Sequence, residues 1–362
     1  MNNKTRPIAF YLPQFYPTPE NDDWWEPGFT EWTNVTRSKP LFRGHYQPRL
    51  PRDLGFYDLR VPETREQQAE LARFAGIEGF CYWHYWFSGR RLLDVVFREV
   101  VESSTPNFPF CLCWANHSWY AKTWTPEAPD KLLIEQTYPG VQDYSNHFYA
   151  MLPAFKDRRY MKVDGKLIFG IFAPIGFDIK SFADTWNTLA YKERIPSFWF
   201  FALAKKEDQL EMFDNTQYDA VVLDTVANGY SSEGYSWLRA HFRELKRRLH
   251  IPYAVEYDEY VERSLLIFQQ HPEVVPCVAP DFDHSPRSGW RAHILKNSTP
   301  EKFYRLCKGV SELVRERHDK QPFIFIKAWN EWAEGNYMEP DQRWGRAYIE
   351  ASRKAFAIDQ AV

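Results

Sequence analysis

Glu331 and Glu334 lie three residues apart in the run Phe323-Ile324-Phe325-Ile326-Lys327-Ala328-Trp329-Asn330-Glu331-Trp332-Ala333-Glu334-Gly335, an apolar strand-like segment leading straight into two Trp-flanked carboxylates. Two carboxyl groups this close, beside flat indole faces, suit chemistry at a glycosidic bond: one handles a proton on the bridging oxygen, the other acts as base or nucleophile, and the aromatic faces hold the ring. On a continuing strand a three-residue spacing puts the two on opposite faces, so they share a site only if the chain turns after Trp332, as Gly335 and Asn336 favour. In a pocket walled by Trp329 and Trp332, desolvation and mutual repulsion are expected to raise at least one carboxyl pKa, setting an acid beside a base. The plainer reading of either glutamate is a helix-capping or salt-bridged carboxylate.

The elements that must position this pair are legible as short apolar, β-branched or aromatic runs: Ile8–Leu12, Gly79–Trp83, Phe110–Trp114, Leu167–Phe172, Phe198–Leu203, Ala220–Leu223, Val274–Val278 and Phe323–Ala328. Helical periodicity separates them at Thr64–Ala75, Leu92–Glu102, Tyr144–Ala154, Ile179–Leu189, Tyr235–Leu249 and Pro300–His318. Near-continuous apolar strands alternating with helices predict a parallel sheet covered on both faces. Eight strands without a dividing linker predict one domain over residues 1–362, a single (β/α)8 TIM barrel, with a doubly wound open sheet as the alternative. No Gly-rich phosphate turn follows the first strand, which disfavours a dinucleotide-binding fold. The long stretches Tyr16–Asp58 and Asn116–Pro139 then fall at the C-terminal mouth of the barrel, where active sites of this architecture lie. Residues just past the strands are expected to converge there: Gln14; His84, Tyr85 and Trp86; Trp114 and Asn116; Asp224; Asp281 and Asp283; and Trp329, Asn330, Glu331, Trp332 and Glu334.

Composition narrows the ligand. The 362 residues carry a net charge of -3 with Lys and Arg dispersed, which is no phosphate-backbone footprint, so nucleic acid is not an expected partner. Aromatic residues make up 18%, with 15 Trp and 21 Tyr, many in polar company, as stacking on hydroxyl-rich rings requires. No stretch approaches the roughly 20 apolar residues of a membrane span. The N-terminal Met-Asn-Asn-Lys-Thr-Arg-Pro lacks the apolar region of a secretory signal, so a cytoplasmic location is expected. The five cysteines read as reduced core residues; Cys111 and Cys113 share a strand face but have no matching second pair, and no metal or cofactor is expected.

Asp281-Phe282-Asp283 supports a second reading, since two aspartates at this spacing can hold a divalent cation against a nucleotide-sugar pyrophosphate. His84 and His117 lack ligand-like spacing and read as hydrogen-bonding residues. Neither a Gly-x-Ser-x-Gly elbow nor a Walker-type loop occurs.

Several motifs resemble the WbsX family of bacterial surface-polysaccharide gene clusters: Ile8-Ala9-Phe10-Tyr11-Leu12-Pro13-Gln14-Phe15-Tyr16-Pro17, Asn21-Asp22-Asp23-Trp24-Trp25, Gly28-Phe29-Thr30-Glu31-Trp32-Thr33-Asn34-Val35, Gly79 through Phe87, Pro109 through Asn116, and Trp329 through Gly335. The resemblance spans nearly the whole chain and extends to glycoside hydrolase family 99, (β/α)8 endo-α-mannosidases and mannanases that act with retention. It implies that Glu331 deprotonates the sugar's own 2-hydroxyl, so that this oxygen attacks C1 to give a 1,2-anhydro sugar, while Glu334 protonates the leaving oxygen and later activates water. It also implies an axial 2-hydroxyl on an α-linked sugar such as mannose or rhamnose. The matching motifs add Tyr11, Trp25, Glu31, Trp32 and Trp119 to the substrate contacts. One departure is Asn116-His117-Ser118-Trp119, where a typical member has Asn-Glu-Asn-Trp. The leading expectation is a retaining glycoside hydrolase-like enzyme or transglycosylase on a bacterial oligosaccharide or polysaccharide. The alternatives are a nucleotide-sugar glycosyltransferase of lipopolysaccharide biosynthesis and a non-catalytic sugar-binding protein. Oligomeric state is left open.

Overall fold

The eight apolar runs fold as strands at the expected places: β1 (Arg6–Tyr11), β2 (Gly79–His84), β3 (Phe110–Trp114), β4 (Lys166–Ile171), β5 (Phe198–Ala204), β6 (Ala220–Asp224), β7 (Val275–Val278) and β8 (Phe323–Ile326). The computed structural model describes residues 5–121, 130–214, 216–226, 249–317 and 322–357. Each strand pairs in parallel with its neighbours in sequence, β8 joins β1 through Arg6↔Phe323 to Ala9↔Ile326, and β4 joins β5, so the sheet closes into a (β/α)8 barrel. The flanking helices are α1 (Pro62–Phe74), α2 (Val95–Ser103), α3 (Val141–Phe155), α4 (Ile179–Lys192), α5 (Tyr257–Gln270), α6 (Pro300–Glu316) and α7 (Ala347–Phe356).

Local chemistry sets several of these starts. Thr299 caps α6, its hydroxyl accepting from Lys302 N at 3.3 Å with Pro300 in the first turn, and Asp178 caps α4 by accepting from Ser181 N at 3.0 Å. The helix expected over Tyr235–Leu249 lies outside the described residues but for Leu249. Two of the seven flanking helices, α5 and α7, fall outside the ranges expected from sequence. In α5 the buried Tyr257, Tyr260, Val261, Ser264, Ile267 and Phe268 repeat at three- and four-residue spacing, and α7 packs against α6 and α1.

Alternation along the strands decides what reaches the barrel axis. Phe10 stacks on Trp83 at 4.5 Å and lies 5.1 Å from Phe325, which meets Phe201 across the barrel at 5.1 Å. These rings face inward, and Gly170 leaves the space that the Phe201 ring occupies. Their immediate neighbours Tyr11, His84 and Trp114 point outward into the layer between strands and helices: Tyr11 donates to Gln68 of α1 at 2.7 Å, His84 meets His147 of α3 at 2.7 Å, and Trp114 stacks on Phe182 of α4 at 5.7 Å.

Candidate active site

Past β8 the chain climbs alongside β1 instead of leaving the barrel. Trp329 N donates to Phe10 O at 2.7 Å, and the Asn330 side chain clamps Leu12 by accepting from its N–H at 2.8 Å and donating to its carbonyl at 3.0 Å. Asn330–Glu331 then pairs antiparallel with Asn336–Tyr337 around a single 3₁₀ turn, Trp332–Glu334. Gly335 closes the turn at φ +63, and a β-carbon there would stand 2.8 Å from Asp283 Cβ and 2.9 Å from Asp283 N, so only glycine fits. This turn carries Glu334 back to the same side as Glu331, close enough for each carboxyl to act on the ionisation of the other.

Their surroundings differ in sign. Glu331 is buried above the axial rings and accepts from Trp83 Nε1 at 2.7 Å; burial and the charge of Glu334 push its pKa well up. Glu334 accepts from Arg287 Nη1 at 2.5 Å, with His284 Nε2 at 3.9 Å. Burial opposes its ionisation, but Arg287, His284 and Lys327 outweigh burial and hold its pKa down. Arg287 is itself anchored on Glu31 through contacts of 2.9 and 3.2 Å, and Gln14 donates to Glu31 at 2.9 Å. Lys327 is neutralised by Asp224 at 2.7 Å. The pair therefore holds one proton between its two members near neutral pH, resting on Glu331. That resting state is the reverse of the one implied by the family resemblance, which puts the proton on Glu334.

The candidates from sequence separate into two groups. Gln14, Glu31, Tyr85, Glu331 and Glu334 come together, Tyr85 lying close enough for its hydroxyl to feel Glu331, Arg287 and Glu31. Trp119 stands at the rim, edge-on to Tyr85 at 5.1 Å and to Trp24 at 5.8 Å, while Trp25 is 49% exposed and stacked on Phe29.

Tyr11, His84, Trp86 and Trp114 are corrected as substrate contacts, because strand alternation turns them outward. Trp86 donates to Asp143 and stacks on His147 at 4.7 Å, and burial drives the pKa of His84 down to about 3. Asn116 is spent on a loop clamp, accepting from Ala173 N at 2.7 Å and donating to Tyr138 at 2.9 Å. Trp329 is fully buried 5.4 Å from Phe80, behind the pair instead of walling it. Trp332 donates to Glu339 at 2.6 Å and stacks on Tyr337, and Trp32 donates to Tyr57 O at 2.8 Å while packing 5.5 Å from Trp332. These indoles, with Asn330, build the scaffold of the turn.

Asp281 and Asp283 are also committed elsewhere. Arg49 donates to Asp281 at 2.7 Å, and Asp283 meets both His45 and Gln47 at 2.7 Å while its N–H donates to Glu334 O at 2.7 Å. Burial opposes it, but His45 and Arg49 hold the Asp283 pKa below its ordinary value. This network ties the loop after β1 to the turn that carries the glutamate pair. Among the described residues no group of three or more His, Cys, Asp or Glu could hold a metal ion.

Trp83, Arg287 and Lys327 were missed by sequence reasoning. Trp83 carried a usable signal, since two-residue alternation puts it on the opposite face from His84. Lys327 directly ends an apolar strand, a position where a cation can only face the mouth or the helix layer. Arg287 sits in a loop helix of four residues, Ser285–Ser288, and nothing local marks it.

A closed (β/α)8 barrel with a proton-sharing carboxyl pair at its C-terminal mouth is a glycoside hydrolase-like architecture. The structure is similar to a solved "Glycoside hydrolase-like protein" with TM-score 0.64 at 13% identity, covering 98% of this chain and 94% of that one. It is also similar to the glycoside hydrolase family 99 endo-alpha-mannosidase of Bacteroides thetaiotaomicron, with TM-score 0.55 at 14% identity over 97% of this chain and 95% of that one. Residues 7–352 match the family described as Glycosyltransferase WbsX, and the chain belongs to that family. It is 33% identical, over 96% of its length, to the uncharacterized protein WxcX of Xanthomonas campestris pv. campestris, of which it spans about half, 49%. Among the described residues no helix is long and apolar enough to cross a membrane.

Proposed function

We infer that this chain acts on the glycosidic bond of an α-linked, manno-configured sugar with retention, as a hydrolase or transglycosylase. The observation that carries this reading is the placement of Glu331 and Glu334 on the same side of one turn, where each acts on the other's ionisation and their pKa values are displaced in opposite directions, at the mouth of a glycoside hydrolase-like barrel. One carboxylate takes the proton from the 2-hydroxyl as O2 bonds to C1, and the other carboxyl gives its proton to the departing glycosidic oxygen. Water or an acceptor hydroxyl then attacks C1 and breaks the C1–O2 bond, surrendering its proton to the second group while the first returns its proton to O2. An axial O2 lies anti to the departing bond, hence the manno configuration.

Both role assignments draw on the same shared proton. With Glu331 as base, that proton first passes to Glu334; with Glu334 as base, the resting charges serve directly. Leaving-group dependence separates them. A glycosyl fluoride needs little protonation, so replacing the acid spares turnover of the fluoride while abolishing that of an oligosaccharide, and replacing the base abolishes both.

The family description favours a second reading, transfer from a nucleotide sugar. The engagement of Asp281 and Asp283 by Arg49, His45 and Gln47 weighs against a cation held by that pair. The test is incubation with α-mannosyl and α-rhamnosyl oligosaccharides and, in parallel, nucleotide sugars, with products read by mass spectrometry. Chelator-insensitive release or transfer from the oligosaccharides is expected; turnover of nucleotide sugars alone overturns the hydrolase-type reading.

A further inference from the structure

Trp83 meets Glu331 with the one donor that an indole has. Its Nε1–H lies 2.7 Å from Glu331 Oε1, and the ring is clamped on two sides: Phe10 stacks on it at 4.5 Å with the planes 2° apart, and Phe172 packs edge-on at 5.4 Å. Trp83 is 8% exposed and Glu331 6%, so water does not compete freely for either group. The charged and titratable groups that face Glu331 are Glu334 and Lys327 of its own segment, Arg287 of the loop helix, Tyr85 past β2 and Cys277 of β7. Burial keeps the Tyr85 hydroxyl and the Cys277 thiol protonated above the range in which Glu331 titrates.

An indole N–H donates and cannot accept. A neutral carboxyl has one oxygen that carries its proton and one that does not, and the N–H seats against the bare oxygen. An ionised carboxylate accepts the same N–H in a stronger, charge-assisted bond. The hydrogen bond therefore survives both protonation states of Glu331 and holds the carboxyl plane in one orientation while the proton comes and goes. Without such a donor the last torsion of a glutamate is broad and two-fold, and the proton leaves from either oxygen. Packing against Phe10 and Phe172 asks only for a ring, which a phenylalanine also supplies.

We propose that Trp83 is a positioning residue of this site, which keeps one oxygen of Glu331 free of the proton so that proton transfer to and from Glu331 takes place at the other. The inference rests on the sugar-site reading above and adds the oxygen at which the shared proton moves. It is tested first without substrate, by following the indole N–H signals of wild type and Glu331→Gln by NMR across the titration of Glu331. One indole signal is expected to persist throughout, to move with the same midpoint as the Glu331 carboxyl carbon, and to stop titrating in Glu331→Gln, whose amide oxygen still accepts. An indole spectrum in which no signal follows Glu331 overturns the inference. The second test is turnover of an α-mannosyl oligosaccharide by Trp83→Phe, which keeps a ring between Phe10 and Phe172 and loses the donor. The expected result is a fall in kcat of about tenfold or more with KM little changed. The alkaline limb of the pH–rate profile is expected at higher pH, since the lost donor favoured the ionised carboxylate. A folded Trp83→Phe with that limb unmoved, whatever its kcat, reports lost packing alone; it overturns the inference and leaves the sugar-site reading standing. Absence of turnover by wild type on every sugar tested overturns that reading, and the indole titration then decides by itself whether Trp83 holds Glu331.

Discussion

A single proton shared by two carboxyls is the chemical core of the proposed function, and its location depends on named neighbours. Glu334 stays ionised because Arg287 donates to it, and Arg287 stays aimed because Glu31 and Gln14 hold its other edge. Removing the guanidinium lets burial and repulsion act unopposed on Glu334, so Arg287→Met is expected to raise the Glu334 pKa and move the acidic limb of the pH–rate profile to higher pH. The alkaline limb reports loss of the proton from Glu331, displaced upward by burial and by Glu334. In the Glu334→Gln variant the repelling charge is gone, the Glu331 pKa falls, and any residual activity should show that limb at lower pH. An acidic limb unmoved in Arg287→Met contradicts the assigned electrostatics. At this scale the sequence disclosed the two glutamates, Gln14 and Glu31. It hid Arg287, because a lone cation in a loop has no periodicity to betray which distant carboxylates it will meet.

Single elements turn these residues into a site, above all the 3₁₀ turn Trp332–Glu334 with its closing Gly335. A methyl group at Gly335 demands left-handed backbone from an L-residue and runs into Asp283, so Gly335→Ala is expected to cost about 1–3 kcal/mol in denaturant unfolding and to reduce turnover further by displacing Glu334. Beneath the turn, Glu339 accepts from Trp332 Nε1 at 2.6 Å, Gln68 at 2.6 Å and Tyr57 at 2.8 Å, and burial lifts its pKa to about 7. A carboxyl raised in the folded state above its unfolded value of about 4.3 contributes stability that is full below that lower value and is lost as pH rises through 7. Thermal unfolding of wild type should therefore lose stability between about pH 5 and 7 by a margin that Glu339→Gln reduces; identical pH profiles for the two proteins would rule out this role. The turn itself was foreseeable from Gly335 and Asn336. The outward placement of Tyr11, His84 and Trp114 followed from alternation, but only once Phe10 and Trp83 were fixed as the inward set, a choice that the uniformly apolar strands of a buried parallel sheet leave open.

Over the whole molecule, closure is what makes the mouth rigid: β8 on β1 and β4 on β5 complete the ring, so no strand can leave without breaking its neighbours' ladders. The described barrel is expected to unfold in one transition with matching calorimetric and van't Hoff enthalpies; two separated transitions contradict a single closed core. The eight strands were legible because each is apolar on both faces and bounded by polar turns, whereas α5 was obscured by charged residues between its buried positions. The pair at the mouth is proposed to carry out sugar-transfer chemistry. This chemistry is tested most directly by the rate of fluoride release from α-mannosyl fluoride by wild type, Glu331→Gln and Glu334→Gln. Turnover by wild type is expected, with a loss on the order of a hundredfold or more in the base variant and much smaller impairment in the acid variant. Equal turnover by all three proteins, each correctly folded, would contradict it.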